Sequence, residues 1–282
     1  MTQRTTPRRT IVITGASDGI GAAAARRLTA QGHHVVLVGR SEAKTRALAD
    51  ELQAPSHLAD FARLADVRRL ADELRAGYPR IDVLANNAGG IMGTRTTTED
   101  GFEKTLQVNH LAPFLLTNLL VGTLVQSRAT VVNTSSAAAR LFGRMDLDDL
   151  GNVRGYSPNK AYGDGKLANI LFTAELHRRF GGQGIATAAF HPGVVATNFA
   201  ADSTSAMRFI YRTPLRHLML ISPDQGADTL VWLAETEPGP QWVSGEFYEK
   251  RRLSRTNPQA ADRDLARGLW DRSAEMVGLT PA

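Results

Sequence analysis

Short runs of aliphatic and β-branched residues alternate along this chain with longer stretches whose apolar positions recur every three or four residues. The runs fall at 10–14, 35–39, 56–59, 81–85, 130–134, 185–190 and 242–248, and read as strands. The longer stretches, at 19–31, 41–53, 63–77, 101–126, 158–180, 222–236 and 259–276, read as helices. Two helix starts are well marked: Ser157-Pro158 and Ser222-Pro223-Asp224-Gln225 each place a capping serine before a first-turn proline, and the second adds a capping-box glutamine. Strand and helix in alternation predict βαβ units. The expected fold is α/β and doubly wound, with a mostly parallel seven-stranded sheet and helices on both faces.

Three segments carry chemistry. Ile11-Val-Ile-Thr-Gly-Ala-Ser-Asp-Gly-Ile-Gly21 is a strand, a glycine-rich turn and a helix start, with glycines at 15, 19 and 21. Such a turn admits a pyrophosphate close to the backbone, at the free N–H groups of a helix N-terminus. The bland alternative is a tight turn with no ligand. The second strand ends in Gly39-Arg40, where an acidic residue would accept bonds from ribose hydroxyls. Arginine instead forms bidentate bonds to phosphate, which predicts NADP(H) over NAD(H), unless Arg40 is an exposed loop residue blunted by Glu42. Tyr162 and Lys166 lie one helical turn apart and share a face. A neighbouring ammonium favours the phenolate, and so makes a phenol usable as a proton donor and acceptor.

Composition narrows the rest. The chain has 282 residues, 43% of them hydrophobic, enough for a full core. No apolar run reaches membrane-spanning length and the first residues lack a secretory signal, so we expect a cytoplasmic protein without integral membrane association. The net charge of +5 is spread over helices apart from the N-terminal arginines and Lys250-Arg251-Arg252-Leu-Ser-Arg255; no basic face interleaved with aromatics argues for nucleic acid. With no cysteine, a thiolate nucleophile and thiolate metal sites are excluded, and no His/carboxylate spacing suggests a metal. His191 and His217 read as structural.

Thr14-Gly-x-x-x-Gly-Ile-Gly21, Asn86-Asn-Ala-Gly89, Asn109, Ser136, Tyr162-x-x-x-Lys166 and Pro192-Gly-Val-Val-Ala-Thr197 occur in that order. Together they resemble the short-chain dehydrogenase/reductase family from about residue 9 to the C-terminus. Asp100-Gly-Phe-Glu, Val108-Asn-His-Leu-Ala-Pro-Phe-Leu-Leu116, Lys166-Leu-Ala-Asn-Ile-Leu-Phe172, His191-Pro-Gly-Val-Val195 and Leu269-Trp-Asp-Arg-Ser273 are similar to its retinol dehydrogenase-like branch. The resemblance implies a Rossmann-like fold and interconversion of a carbonyl and an alcohol by hydride transfer. Tyr162 would be the general acid/base, Lys166 would lower its pKa and hold the nicotinamide ribose, and Ser136 would bind the substrate oxygen. Asn109 would complete a proton relay. Gly15, Ser17, Asp18, Gly19, Ile20, Gly21, Arg40, Asp60, Asn87, Ala88 and Gly89 would hold the adenosine and phosphates, and Pro192, Gly193, Val195 and Thr197 the nicotinamide. Asp60 reads alternatively as a cap for a helix at 62–77. A non-catalytic NADP(H)-binding sensor or scaffold is the reading from another class.

Three local features bear on these roles. Pro113 has no N–H for the Asn109 carbonyl four residues back, and so opens the helix at Asn109 or only kinks it. Gly163 and Gly165 interrupt the Tyr–Lys helix, which calls for close packing there or else a locally loose helix. Residues 198–221, rich in Met, Phe, Ile and Leu, read as a lid over a hydrophobic substrate, or as a helix packed on the core or on a partner subunit. We expect one domain over 1–282, with a flexible arm at 1–9 and a C-terminal extension at 249–282; a homo-oligomer is possible, since the family pairs subunits through the helices at 101–126 and 158–180. If Arg40 reads the 2′-phosphate, Arg40→Asp should turn the cofactor preference toward NAD(H). The ratio of kcat/KM with NADPH and NADH checks this, and an unchanged NADPH preference would remove Arg40 as the discriminator.

Overall fold

The computed structural model describes residues 7–193 and 221–279. Eight strands form one sheet: β1 (Thr10–Thr14), β2 (His34–Gly39), β3 (Ser56–Leu58), β4 (Val83–Asn86), β5 (Thr130–Thr134), β6 (Ala186–His191), β7 (Glu246–Glu249) and β8 (Arg252–Leu253). Their spatial order is β3-β2-β1-β4-β5-β6-β7-β8. All neighbours pair parallel except β7 and β8. The chain winds outward from β1 to β3 and then restarts on the other side with β4. That reversal opens a crevice at the carboxyl ends of β1 and β4.

Strand alternation divides the core into two layers. Ile11, Ile13, Val83, Ala85, Val132 and Phe190 face helices α1 (Gly19–Ala30), α2 (Glu42–Leu52) and α9 (Pro223–Glu235). Val12, Leu84, Val131 and Ala189 face α3 (Leu64–Gly77), α5 (Ala112–Leu119), α8 (Pro158–Phe180) and α10 (Arg263–Met276). A parallel sheet covered on both sides explains why its strands read as continuous apolar runs.

The seven expected strands are all present, and the eighth was hidden in the basic run. Lys250 and Arg251 both take positive φ, 51° and 59°, and form a two-residue hairpin turn between β7 and β8. Expected bounds shift where a turn intervenes: the 242–248 run becomes a strand only from Glu246, because Gly245, at φ 92°, turns the chain before it. The four-residue helix α7 (Ala138–Leu141) is too short to leave a periodic signal.

The single helix expected over 101–126 is corrected to four pieces. These are α4 (Lys104–Leu106), a π-turn (Gln107–Leu111), α5, and α6 (Val121–Ser127). In the π-turn the Ala112 N–H donates to the Gln107 carbonyl, five residues back, just before Pro113, which has no N–H to continue the ladder. A second break at Leu120 bends the helix by 63°. Among the described residues no single helix is long and apolar enough to cross a membrane.

Of the expected N-terminal arm, residues 7–9 are described, and Arg9 is docked: Nη1 donates to the Ala234 carbonyl at 2.7 Å. The C-terminal extension folds back as α10. Its Trp270 ring lies 5.0 Å from Phe114 and 5.7 Å from Phe172, so it covers the faces of α5 and α8 with aromatic packing. The segment 198–221, read above as a lid, lies outside the described residues except for Ile221.

Close packing accounts for both interrupting glycines in α8. A Cβ at Gly163 would stand 2.7 Å from Gly143 N and from Phe142 C, and one at Gly165 would stand 3.2 Å from Asn109 Cβ. The first contact is with backbone, which cannot swing aside. Gly163→Ala should therefore cost about 1–3 kcal/mol in urea unfolding despite the better helix propensity of alanine. A raised midpoint would show that the Ala139–Gly143 turn is not seated there. Gly165→Ala should cost less.

Candidate active site

The site is built where β1, β4 and β5 end. Thr14 locks the first two together: its Oγ1 accepts from the N–H groups of Asn87 and Ala88, each at 3.0 Å. Asn87 Nδ2 returns bonds to the carbonyls of Thr14 and Gly15. Gly15 and Gly19 take φ of 63° and 53°, which open the turn. A Cβ at Gly21 would meet Gly15 O at 2.2 Å, so α1 begins directly against the turn. Asp18 caps α1, Oδ1 accepting from Gly19 N at 2.8 Å, and Ile20 packs partly buried on the core behind it.

At the end of β2, Gly39 has no room for a side chain, since a Cβ would meet Thr45 Oγ1 at 2.1 Å and Ser17 Oγ at 3.1 Å. Arg40, which follows, is exposed. Glu42 pairs with Arg46 at 2.7 Å rather than with Arg40. Lys44 donates to Asp18 Oδ2 at 2.6 Å, which brings a second cation to this edge. The sequence reading missed Lys44; a cation one helical turn after Arg40 was the available signal. Asp60 does not cap the next helix. Leu64 N donates to Asp100, and Asp60 Oδ1 accepts from Ala62 N inside the turn after β3.

The structure brings Tyr162, Lys166, Asn109 and Gly89 together. Lys166 is 1% exposed and Tyr162 7%, with the Lys166 Nζ 5.5 Å from the Tyr162 ring centroid. Burial pushes the Lys166 ammonium down to about 7. Nζ donates to the Thr134 carbonyl at 3.2 Å. A Cβ at Gly89 would stand 3.0 Å from that Nζ and 2.5 Å from Asn109 Oδ1. Glycine is thus what lets the end of β4 lie on the lysine. Asn109 sits in the π-turn and fastens the same strand end: Oδ1 accepts from Gly90 N, while Nδ2 donates to the carbonyls of Gly90 and Thr105.

The two serines differ. Ser135 is buried and donates to the Lys166 carbonyl at 2.7 Å, so it braces α8 rather than capping a strand end. Ser136 is half-buried, one residue closer to the crevice, and accepts from Ala138 N. Beside Gly163, Phe142 and Leu141 are 45% and 63% exposed and form an apolar rim that the sequence reading did not single out. Pro192 and Gly193 follow β6, Gly193 with φ 95° and its N–H directed at His191 Nδ1. Val195 and Thr197 lie outside the described residues. Among the described residues no three His, Asp or Glu side chains converge as a metal set.

A Cβ at Gly15 would stand 2.8 Å from Ala88 Cα and one at Gly89 2.5 Å from Asn109 Oδ1. Glycine at both positions thus lets the ends of β1 and β4 close on their neighbours beside the N-terminus of α1, where backbone N–H groups suit a phosphate. Comparison with known proteins agrees. The family model described as short chain dehydrogenase matches residues 9–208. A Streptomyces sp. (strain C5) protein whose name proposes it as a daunorubicin C-13 ketoreductase is 45% identical, over 97% of this chain and 94% of its own. Human retinol dehydrogenase 13 is 36% identical over 98% of this chain and 86% of its own. Among solved structures, an uncharacterized protein of Mycobacterium paratuberculosis superposes with a TM-score of 0.78 at 35% identity, covering 97% of this chain and 95% of that one. Pseudomonas aeruginosa RhlG in an NADP active-site complex superposes with a TM-score of 0.68 at 25% identity, covering 88% and 96%. The chain belongs to the short chain dehydrogenase family and is an oxidoreductase of carbonyl and alcohol groups.

Proposed function

We propose that the protein is an NADP(H)-dependent oxidoreductase that interconverts an aldehyde or ketone and an alcohol on a hydrophobic small molecule, with Tyr162 as general acid/base. The observation that carries this reading is the burial of Lys166 beside Tyr162, at the strand ends that also hold the glycine turn. A bound nicotinamide cofactor supplies or accepts the hydride. The protein's own residues handle the oxygen. Ser136 hydrogen-bonds it, and Tyr162 donates its phenolic proton to it in reduction or takes the proton in oxidation. Lys166 favours the phenolate left by reduction, and does so strongly because water is excluded around it. Asn109 and the backbone it holds complete the path by which the proton is replaced.

Preference for NADP(H) is supported by Arg40, exposed and without an ion pair among the described residues, and by Lys44 beside Asp18. It is also supported by the NADP bound to the RhlG structure. The exposed Leu141 and Phe142 beside Gly163 support an apolar substrate, as do relatives named for daunorubicin and retinol. The expected cytoplasmic location belongs to the same proposal.

Two measurements test it. With NADPH and a panel of apolar aldehydes, ketones and quinones, Tyr162→Phe should lower kcat by roughly 10²–10⁴-fold while the Kd for NADPH stays within a few-fold. Near-normal turnover would remove Tyr162 from the chemistry. The second concerns stability. The folded pKa of Lys166, about 7, lies below its ordinary value. Between the two the unfolded chain binds more protons, so stability rises with pH across that window, and the full cost of the buried charge is felt below it. The stability of Lys166→Met relative to the wild type should therefore fall by roughly 1 kcal/mol per pH unit between about pH 7 and 9. A gap independent of pH would show that the ammonium is not buried in solution.

A further inference from the structure

Between Ser136 and Tyr162 the chain forms only the short helix α7 before α8 begins at Pro158. A segment with so little secondary structure takes its shape from contacts outside itself. Two sets of buried polar groups supply them. The last carbonyls of α7 run out of helical donors, and Asn257 Nδ2 provides one. It donates to Ala139 O at 2.8 Å and to Gly143 O, just past the helix, at 2.7 Å. Gln259 grips Met145 in both directions: Oε1 accepts from its N–H at 2.9 Å and Nε2 donates to its carbonyl at 3.0 Å. From the other side Asp164, on α8, accepts from Arg144 N at 2.7 Å, Asn152 Nδ2 at 3.0 Å and Lys160 Nζ at 2.6 Å. Asn152, Asp164 and Asn257 are all buried.

This clamp holds apolar side chains in water. Among the described residues five large apolar side chains are strongly exposed, and Leu141, Phe142 and Val153 of this segment are three of them. A segment free to move would fold such side chains onto the protein, because apolar area is driven out of water. The bonds to Ala139, Gly143 and Met145 prevent that, since they tie the backbone on both sides of Leu141 and Phe142. A brace that served stability alone would have no reason to hold them out. Phe142 also lies directly against the turn of α8 that carries Tyr162: a Cβ at Gly163 would meet Phe142 Cβ at 2.8 Å.

We propose that Asn257 and Gln259, in the C-terminal extension, are positioning residues for substrate selection: they hold Leu141 and Phe142 where the apolar part of the substrate emerges from beside Tyr162. The proposal rests on the reading of an apolar carbonyl or alcohol substrate given above. Selectivity is then set by a segment that lies outside the strand ends forming the site. The two ends of the Asn257 amide have separate roles, so they can be tested apart. Its Oδ1 accepts from Gln259 N at 2.9 Å and caps the 3₁₀ turn Pro258–Ala261, while its Nδ2 holds the rim. Asn257→Asp keeps the capping oxygen and removes the donor.

The test is kcat and KM for straight-chain aldehydes from butanal to decanal with saturating NADPH. In the wild type kcat/KM should rise at least about tenfold along the series, as added CH2 groups meet Leu141 and Phe142. In Asn257→Asp the rise should shrink to about threefold or less through a higher KM for decanal, while kcat for butanal stays within about twofold. A brace with a purely structural role would move both ends of the series together or neither. Gln259→Leu, which frees Met145, should flatten the series too, and it carries the test if Asn257→Asp does not fold. A wild-type series without a rise, a rise preserved in either folded variant, or a loss equal for butanal and decanal overturns the proposal. If the wild type reduces no aldehyde, the oxidoreductase reading falls instead, and titration calorimetry with decan-1-ol and NADP+ decides this one. Asn257→Asp should then bind the alcohol about fivefold or more weakly, and equal or undetectable binding overturns the proposal.

Discussion

Holding an ammonium in a nearly dry site is the constraint on which the rest of this structure depends. Lys166 is 1% exposed, and burial alone accounts for its depressed proton affinity. A charge so placed is costly unless neighbouring dipoles are fixed around it. Here they are fixed by backbone: the Thr134 carbonyl on Nζ, the Ser135 hydroxyl on the lysine's own carbonyl, and the end of β4 drawn in where Gly89 has no side chain. Such groups do not reorganise when a proton moves. A pre-set polar environment of this kind offsets part of the desolvation cost, while the depressed proton affinity shows that the ammonium is still held less firmly than in water.

Glycine is the means by which secondary-structure elements come close enough to do this. In α8 it would ordinarily be a defect, about 1 kcal/mol worse than alanine. Gly163 admits the Phe142–Gly143 backbone and Gly165 admits Asn109, so the helix gives up propensity to gain contact on both sides of the Tyr162–Lys166 turn. The loop beyond is fastened to the same helix. Asp164 accepts from Arg144 N, Asn152 Nδ2 and Lys160 Nζ, and Asn257 donates to the carbonyls of Ala139 and Gly143. Leu141 and Phe142, which form the apolar rim, are therefore presented from a fixed turn.

What could be read in the sequence were the features with a short period or a short span. Seven strands, the glycine turn and the Tyr162–Lys166 pair all declare themselves within a few residues. The broken helix did not, because its apolar pattern continues through the π-turn and only Pro113 signals the disturbance. The eighth strand was masked by Lys250 and Arg251, residues that rarely take positive φ; Arg251 is steadied by Asp228, more than twenty positions away. The pairing of Lys44 carries no local signal, because its partner Asp18 lies 26 positions away in the chain. His110 and Asn169 read as part of a family motif with no role of their own, since their partners lie on β5 and α10. Long-range hydrogen bonds leave no periodic trace, and the site is largely made of them.

The same polar logic continues across the sheet. Asn86 Nδ2 donates to Thr117 Oγ1 on α5 and to Asn133 Oδ1 on β5; Asn133 Nδ2 donates to Thr173 Oγ1 on α8, and Thr173 Oγ1 to the Asn169 carbonyl. Thr187 on β6 donates to the Thr173 carbonyl. All of these side chains are buried. An aliphatic layer of the same volume would hold the elements together at least as tightly, but it would tolerate a helix sliding by a fraction of a turn. A hydrogen-bonded ladder does not, because any slip leaves a buried amide or hydroxyl unpaired. The ladder sets α5 and α8 in register with β4 and β5, and these are the elements that carry or flank Asn109, Lys166, Gly89 and Ser136. Placing polar residues in the core therefore fixes the distances among these residues, on which the proton transfer proposed for Tyr162 would depend.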